Sequence, residues 1–237
     1  MKVTLHQVAK HFGREVVFEG VGLTLASGSR TALLGPNGSG KSTLLQVIGG
    51  AIIPTQGHIE HHLDDRPVPQ EEVYKHVAIA APYLGLYEEL SLTQAIDFHA
   101  RFKPFVHGLG VKDVARIAYL DHALEKPVLH FSSGMKQRLK LALAILSDTP
   151  LLLLDEPASN LDAEAIAWYR SLLRDHLGQR TVVVAKVGSS VIDVDLNHPL
   201  AGLTLTFQIE IVSVREASEE EIAHGHVHGP GGVEHAH

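Results

Sequence analysis

Three short runs in this chain carry residues whose types and spacing suit phosphate chemistry. The first is GPNGSGKST at 35–43, which fits the pattern G-x-x-x-x-G-K-[ST] and sits between an apolar run, 31–34, and a helical stretch, 42–48. Glycines there let backbone N–H groups curl around a β-phosphate, so Asn37, Gly38, Ser39, Gly40, Lys41, Ser42 and Thr43 are candidate phosphate-binding residues. Lys41 is placed for β and γ oxygens, Ser42 offers a hydroxyl to Mg²⁺, and the helix N-terminus favours an anion. The second run is LLLLDE at 151–156. An aspartate at the end of a buried strand, Asp155, can hold Mg²⁺ or its water. The adjacent Glu156 can orient and polarise an attacking water, and it is the residue that points beyond binding to hydrolysis. The third run is FSSGMKQR at 131–138, with serine and glycine at a helix start where orphan N–H groups can meet an anion. Alone, it reads equally well as an ordinary helix cap.

The elements needed to hold these runs are legible. Alternation at 3–8 predicts an edge or half-buried strand, and 16–18 and 21–25 continue the β character, split by Gly20. Residues 59–69, with two prolines and three acids, read as a loop or an exposed hairpin tip. A short buried strand at 77–81 ends at Pro82. Helical patterns follow at 93–101, 111–120 and 134–147, the last carrying Met135, Leu139, Ala142 and Leu146 on one stripe. The wholly apolar 151–154 has the signature of a central parallel strand. A helix at 163–177 stops at Gly178, and 181–185 is the next buried strand. The chain therefore reads as an α/β core with an N-terminal antiparallel β region and a helical subdomain at roughly 85–150. One domain is expected over 1–222, with alternating residues 200–211 forming final strands.

Bulk properties narrow the function classes. The 237 residues are 45% hydrophobic, enough for a well-buried core. A formal charge of -7 argues against non-specific nucleic-acid binding, which wants clustered Lys and Arg. There is no cysteine, which excludes disulfides, thiolate nucleophiles and Cys-ligated metals. The N-terminus does not read as a signal peptide, and no stretch reaches the length of a membrane span. A cytoplasmic protein able to dock on a membrane partner is the expectation. Residues 223–237 hold His224, His226, His228, His235 and His237 among glycines, and read as a disordered tail with a possible Zn²⁺ or Ni²⁺ role as the alternative.

With these runs in order, the chain resembles the nucleotide-binding domain of ATP-binding cassette (ABC) transporters over residues 3 to about 190. The resemblance implies a P-loop NTPase core of the ABC ATPase type, with ATP and Mg²⁺ as cofactors. Residues 131–135 resemble the family signature usually written L-S-G-G-Q, with Phe131, Ser133 and Met135 as departures. Ser132 and Gly134 would then contact the γ-phosphate on a second copy's P-loop, in a head-to-tail homodimer or a pseudo-symmetric dimer with another ATP-binding subunit. Residues 159–162 resemble the D-loop between the two sites, and Phe12 matches the aromatic that stacks on adenine, with a core phenylalanine as the alternative. The resemblance also implies a separate transmembrane permease subunit, no nucleic acid, and a place on the cytoplasmic face of the membrane.

Two departures bear on catalysis. The resemblance implies a Q-loop glutamine after 77–81, where the chain offers Ala81 or Pro82; no nearby residue is an obvious substitute, Tyr83 or Glu88 being the alternatives, and 83–90 reads instead as a face that meets a membrane partner. The family's switch histidine is absent after 181–185, where Lys186 occupies roughly that place. A lysine can neutralise phosphate charge but has no acceptor nitrogen when protonated; a solvated strand-end lysine is the alternative. Ser189, Ser190 and His198 lie further on. Both losses are of positioning groups; losing one positioned donor can cost roughly 10²–10³ in rate, and losing two need not cost the product, because such groups act as a unit. The sequence thus describes an ATP binder with Glu156 retained for hydrolysis. Its role is that of a transporter ATPase subunit, or alternatively of a soluble ATP-dependent switch whose output is dimerisation.

Overall fold

The computed structural model describes residues 1–187 other than Asn160. These belong to one compact unit, Met1–Ile192. The expected strands at 200–211, the tail at 223–237, Ser189, Ser190, His198 and the domain limit at 222 lie outside the described residues. In chain order the elements are β1 (Lys2–Phe12), β2 (Glu15–Leu25), β3 (Arg30–Gly35), α1 (Lys41–Ile48), β4 (Gln56–Leu63), β5 (Arg66–Pro67), β6 (Val77–Ala80), α2 (Leu92–Phe102), α3 (Val111–Ile117), α4 (Ser133–Leu146), β7 (Leu151–Asp155), α5 (Ala163–His176) and β8 (Thr181–Val187).

They build two sheets. One is antiparallel, in the order β2-β1-β4-β5, and the other has the order β3-β8-β7-β6 with every pairing parallel. The β character expected to break at Gly20 instead forms one continuous strand, β2. Gly20 lies at φ +63, opposite irregular pairing between Leu5 and Lys10 of β1, so it marks a bulge, where an extra residue bends a strand without ending it. Of the loop or hairpin tip expected over 59–69, residues 59–63 are instead strand, the end of β4, because 59–62 pair with β1, and the left-handed Asp64 and Asp65 form the hairpin tip before β5.

The parallel sheet is apolar on both faces because both are covered, which explains the unbroken leucines of β7. Period-2 alternation sorts its residues. Leu152, Leu154, Val182 and Ala80 face a core built with α2, α3, α4 and α5, including Ile96, Val114, Leu139 and Trp168. Leu151, Leu153, Val183 and Ala185 face a second core with Leu45 and Ile48 of α1 and Val3 and Leu5 of β1. α4 carries six consecutive buried residues, Leu141 to Leu146, as it passes from the lobe to the sheet. α2 begins on a reciprocal cap: Ser91 Oγ accepts from Gln94 N–H, and the Ser91 N–H donates to Gln94 Oε1.

Candidate nucleotide site

The glycine-rich loop runs from the end of β3 into α1. Gly40 is the residue before the helix at φ +87, and a Cβ there would stand 2.8 Å from Val17 Cγ1, so no side chain fits. No side chain caps α1, which leaves its first N–H groups free for an anion. Lys41 is 8% exposed and folds back across the loop, donating to the Gly35 carbonyl at 2.9 Å and the Pro36 carbonyl at 2.7 Å. An ammonium has three donors, so one remains for a phosphate oxygen.

Register fixes the second half of the site. Asp155 lies opposite Ala185 of β8, and Ala185 is opposite Leu33 of β3; one row on, Leu34 is opposite Lys186 and Gly35 opposite Val187. Two strand spacings therefore separate the P-loop strand from Asp155, roughly 10 Å, a gap a triphosphate and its cation can bridge. Asp155 is 2% exposed. By alternation it shares a face with Leu151 and Leu153, the α1 side. Its Oδ1 is buried without a hydrogen-bond partner among the described residues. A buried carboxylate oxygen left unpaired is costly unless a cation meets it, so this oxygen donor fits a hard divalent cation such as Mg²⁺.

Glu156 stands on a left-handed backbone, φ 45, a conformation that non-glycine residues adopt at a cost of about 1–3 kcal/mol. Three hydrogen bonds hold it. Its N–H donates to the Ala185 carbonyl at 2.9 Å, and its carbonyl accepts from Ser159 N–H at 3.0 Å and Ser159 Oγ at 2.7 Å. Gln137 adds a tie that the sequence reading missed. It is buried on α4 and donates to the Pro157 carbonyl at 3.0 Å, joining the signature helix to the turn after Glu156. No local signal pointed to it, since Gln137 lies off the apolar stripe of Met135, Leu139, Ala142 and Leu146.

The two departures resolve differently. The row of Asp155 continues across Ala80↔Leu154 to Ala81, with Tyr83 two residues further. Burial raises the Tyr83 phenol to about 12, and the negative charge of Asp155 adds to the shift, so this side chain feels the site. Glu88 does not join it, since it pairs with Lys136 of α4 at 2.5 Å. Lys186 is exposed. Alternation puts it on the side of Val182 and Val184, which pack against the helical core, opposite the face of Asp155.

The outlying pieces are at the surface. Ser132 is exposed at the N-cap of α4, its Oγ accepting from Met135 N–H at 3.2 Å, and Gly134 follows within the first turn. Phe12 is 51% exposed at the tip of the first hairpin, with Lys10 Nζ 4.9 Å from its ring centroid. It is therefore not a core residue.

Comparison with known proteins agrees with this geometry. A family model described as ABC transporter matches residues 18–159. The cytochrome c biogenesis ATP-binding export protein of Rhodopseudomonas palustris (strain HaA2) is 35% identical over 75% of this chain and 86% of its own. The protein of that name from Rhizobium meliloti (strain 1021) is 30% identical over 78% of this chain and 90% of its own. The zinc import ATP-binding protein of Yersinia enterocolitica (serotype O:8 / biotype 1B) is 34% identical over 77% of this chain and 69% of its own. Among solved structures, the ATP-binding subunit of an ABC transporter superposes with a TM-score of 0.67 at 25% identity, covering 79% of this chain and 80% of that one. A dimeric ATP-binding cassette in a post-hydrolysis state, bound to ADP and Pi, shares the fold with a TM-score of 0.66 at 23% identity, over 79% and 88%. No described helix is long and apolar enough to cross a membrane. The chain belongs to the ABC transporter family, as an ATP-binding subunit of the kind that powers a separate membrane subunit.

Proposed function

We propose that this subunit binds ATP with Mg²⁺ between two head-to-tail cassettes, as a homodimer or with another ATP-binding subunit, and hydrolyses it on the cytoplasmic face of a membrane. The observation that carries the reading is the pairing of Asp155, buried with an unpartnered Oδ1, and Glu156, clamped in a left-handed backbone beside it. Ser42 and Asp155 would hold Mg²⁺, which supplies charge neutralisation on the phosphate oxygens. The α1 N–H groups and Lys41 bind the phosphate chain, and Phe12 offers its exposed ring to the adenine. Glu156 takes a proton from the water that attacks the γ-phosphorus. The exposed start of α4, with Ser132 and Gly134, meets the γ-phosphate of the partner's site. Tyr83, two residues beyond Ala81 in the row of Asp155, is the candidate for the position left by the missing glutamine.

The membrane subunit docks on the lobe. Gly85, Leu86, Tyr87, Phe98, Phe102 and Lys103 line an open, mostly apolar groove there. Phe98 packs edge-on against both Tyr87 and Phe102, with ring centroids 5.0 and 5.1 Å apart. Exposed aromatic clusters of this kind are the usual anchors of protein interfaces.

The test is the Glu156→Gln variant. It is expected to accumulate as an ATP-bound dimer on sizing in the presence of ATP and Mg²⁺, with hydrolysis lost. A monomer under those conditions, with the membrane partner also present, would sink the dimer reading. Undetectable turnover by the unmodified protein would leave ATP-driven dimerisation without catalysis.

A further inference from the structure

A second cluster of ligand-type side chains lies on the antiparallel sheet, on residues the nucleotide site does not use. His6 of β1 and His58 of β4 are directly opposite in register. Their rings stack with centroids 4.5 Å apart and planes 15° from parallel. Glu60, two residues along β4, shares the face of His58. Its carboxylate spans both rings: Oε2 lies 3.8 Å from His6 Nε2, and Oε1 lies 3.5 Å from His58 Nε2. One ligand atom from each of the three falls within 4.8 Å of the other two.

The backbone holds the rings together. β1 bulges immediately after His6, where Gln7 is left-handed at φ 47 and the pairing slips before Ala9. Gly57, just before His58, lies at φ +75, and a Cβ there would be 2.3 Å from the His6 carbonyl oxygen and 2.4 Å from that of Gln7. Only glycine permits this approach of the two strands. Bulges of this kind re-aim side chains at sheet surfaces. Inward, Val3 and Leu5 are packed in the core, and His61 Nε2–H donates to the Ile48 carbonyl at 2.7 Å, which ties both strands to the core beneath the outer face.

We propose that His6, His58 and Glu60 bind a first-row divalent transition cation, with Zn²⁺ as the probe. Two imidazole nitrogens and one carboxylate oxygen suit Zn²⁺, and a water would complete four-coordination. Mg²⁺ and Ca²⁺, which want oxygen ligands alone, do not fit the donor set. The cation clamps β1 to β4 from outside, on the same strand that ends at Phe12. It is a site separate from the P-loop, and ATP is not among its ligands.

The histidines at 224, 226, 228, 235 and 237 bind metals by composition alone, so they are first replaced by asparagine in the full-length chain. Zn²⁺ titration calorimetry of that protein is expected to show one saturable equivalent and a raised Tm at saturation. His58→Ala and Glu60→Gln should each weaken it at least roughly tenfold, while ATP affinity stays unchanged. Replacing Zn²⁺ with Co²⁺ gives a visible absorption band that reports the same loss. The proposal is overturned if the tail-substituted chain shows no saturable equivalent. It is equally overturned if His6→Ala with His58→Ala leaves binding as it was.

Discussion

The two faces of the parallel sheet divide the labour of the protein. The face toward α1 carries the tight glycines, Lys41, Asp155 and the approach to Glu156. The face toward the helical lobe carries the aromatic groove and, by alternation, Lys186. On the first face the candidate phosphate-binding features rest largely on backbone: N–H groups of α1, left-handed glycines, and a strained but triply bonded Glu156. At the ends of β6 and β8, where the family resemblance implies a glutamine and a histidine, the chain carries Ala81, Pro82 and Lys186, with Ala81 in the row of Asp155 and Lys186 on the lobe side. Binding built from backbone leaves little room for substitution. Sensing built from single side chains at strand ends can be rewritten one residue at a time.

The largest effect that would break this division is at Glu156. Glu156→Gln should lower turnover by roughly 10³-fold or more, as loss of a reaction-positioned group does, and leave ATP binding within about twofold, measured by single-turnover hydrolysis and nucleotide titration. Loss of both together would mean the carboxylate also organises the binding face.

Acid should act next, through the lobe. His99 lies against the groove, stacks on Phe105 and shares a hydrogen bond with Ser147 Oγ at 2.8 Å. Burial, with Lys103 nearby, lowers it from 6.5 to about 4. The unfolded chain therefore takes the proton first. Its stabilising contribution is full above about pH 6.5 and is lost as pH falls toward about 4, a change of about 3 kcal/mol over that window. His61, buried against Ile48, and His176 are also lowered by burial and act with the same sign. Denaturant melts at stepped pH should show the loss, and His99→Gln should remove its own share of the slope. A variant with an undiminished slope would move the acid response out of the lobe.

Much of the division was legible in the sequence, for reasons that differ by region. The loop 35–43 and the strand 151–155 could be read because backbone geometry restricts which residues fit, as at Gly40 against Val17. The unbroken leucines of β7 announced a sheet covered on both faces. Gly20 was misread as a break because a bulge and a strand end share the same local signal; only pairing with β1 separates them. Gln137 was invisible because its partner, the Pro157 carbonyl, is twenty residues away. Phe12 and Tyr83 needed exposure and neighbouring charge to sort site from core.

Tyr83→Phe tests whether the Q-loop position has been rewritten. Removing the phenol oxygen keeps the ring and its packing. Turnover should fall roughly tenfold, less than the 10²–10³ of a donor aimed at the reacting group, with ATP affinity nearly unchanged. Tyr83→Phe at full activity would leave no sensing side chain beyond β6.

The smallest expected effect is at Lys186, and its smallness is the point. The sequence offered this lysine as a stand-in for the missing histidine. Its strand partner Leu34 stands one residue before the end of the P-loop strand, so proximity alone favours that role. Side-chain direction is set by alternation, however, and Asp155 and Lys186 fall on opposite faces of adjacent strands. An exposed lysine on the far face meets solvent, where a charge contributes little across the sheet. Lys186→Ala should therefore change ATP affinity and turnover by less than about twofold, near the scatter of surface substitutions. A drop of tenfold or more in single-turnover hydrolysis, at unchanged binding, would require the end of β8 to turn over when ATP is bound. The sheet's two faces would then not be separate in function, and the comparison would have to be redrawn around that strand end.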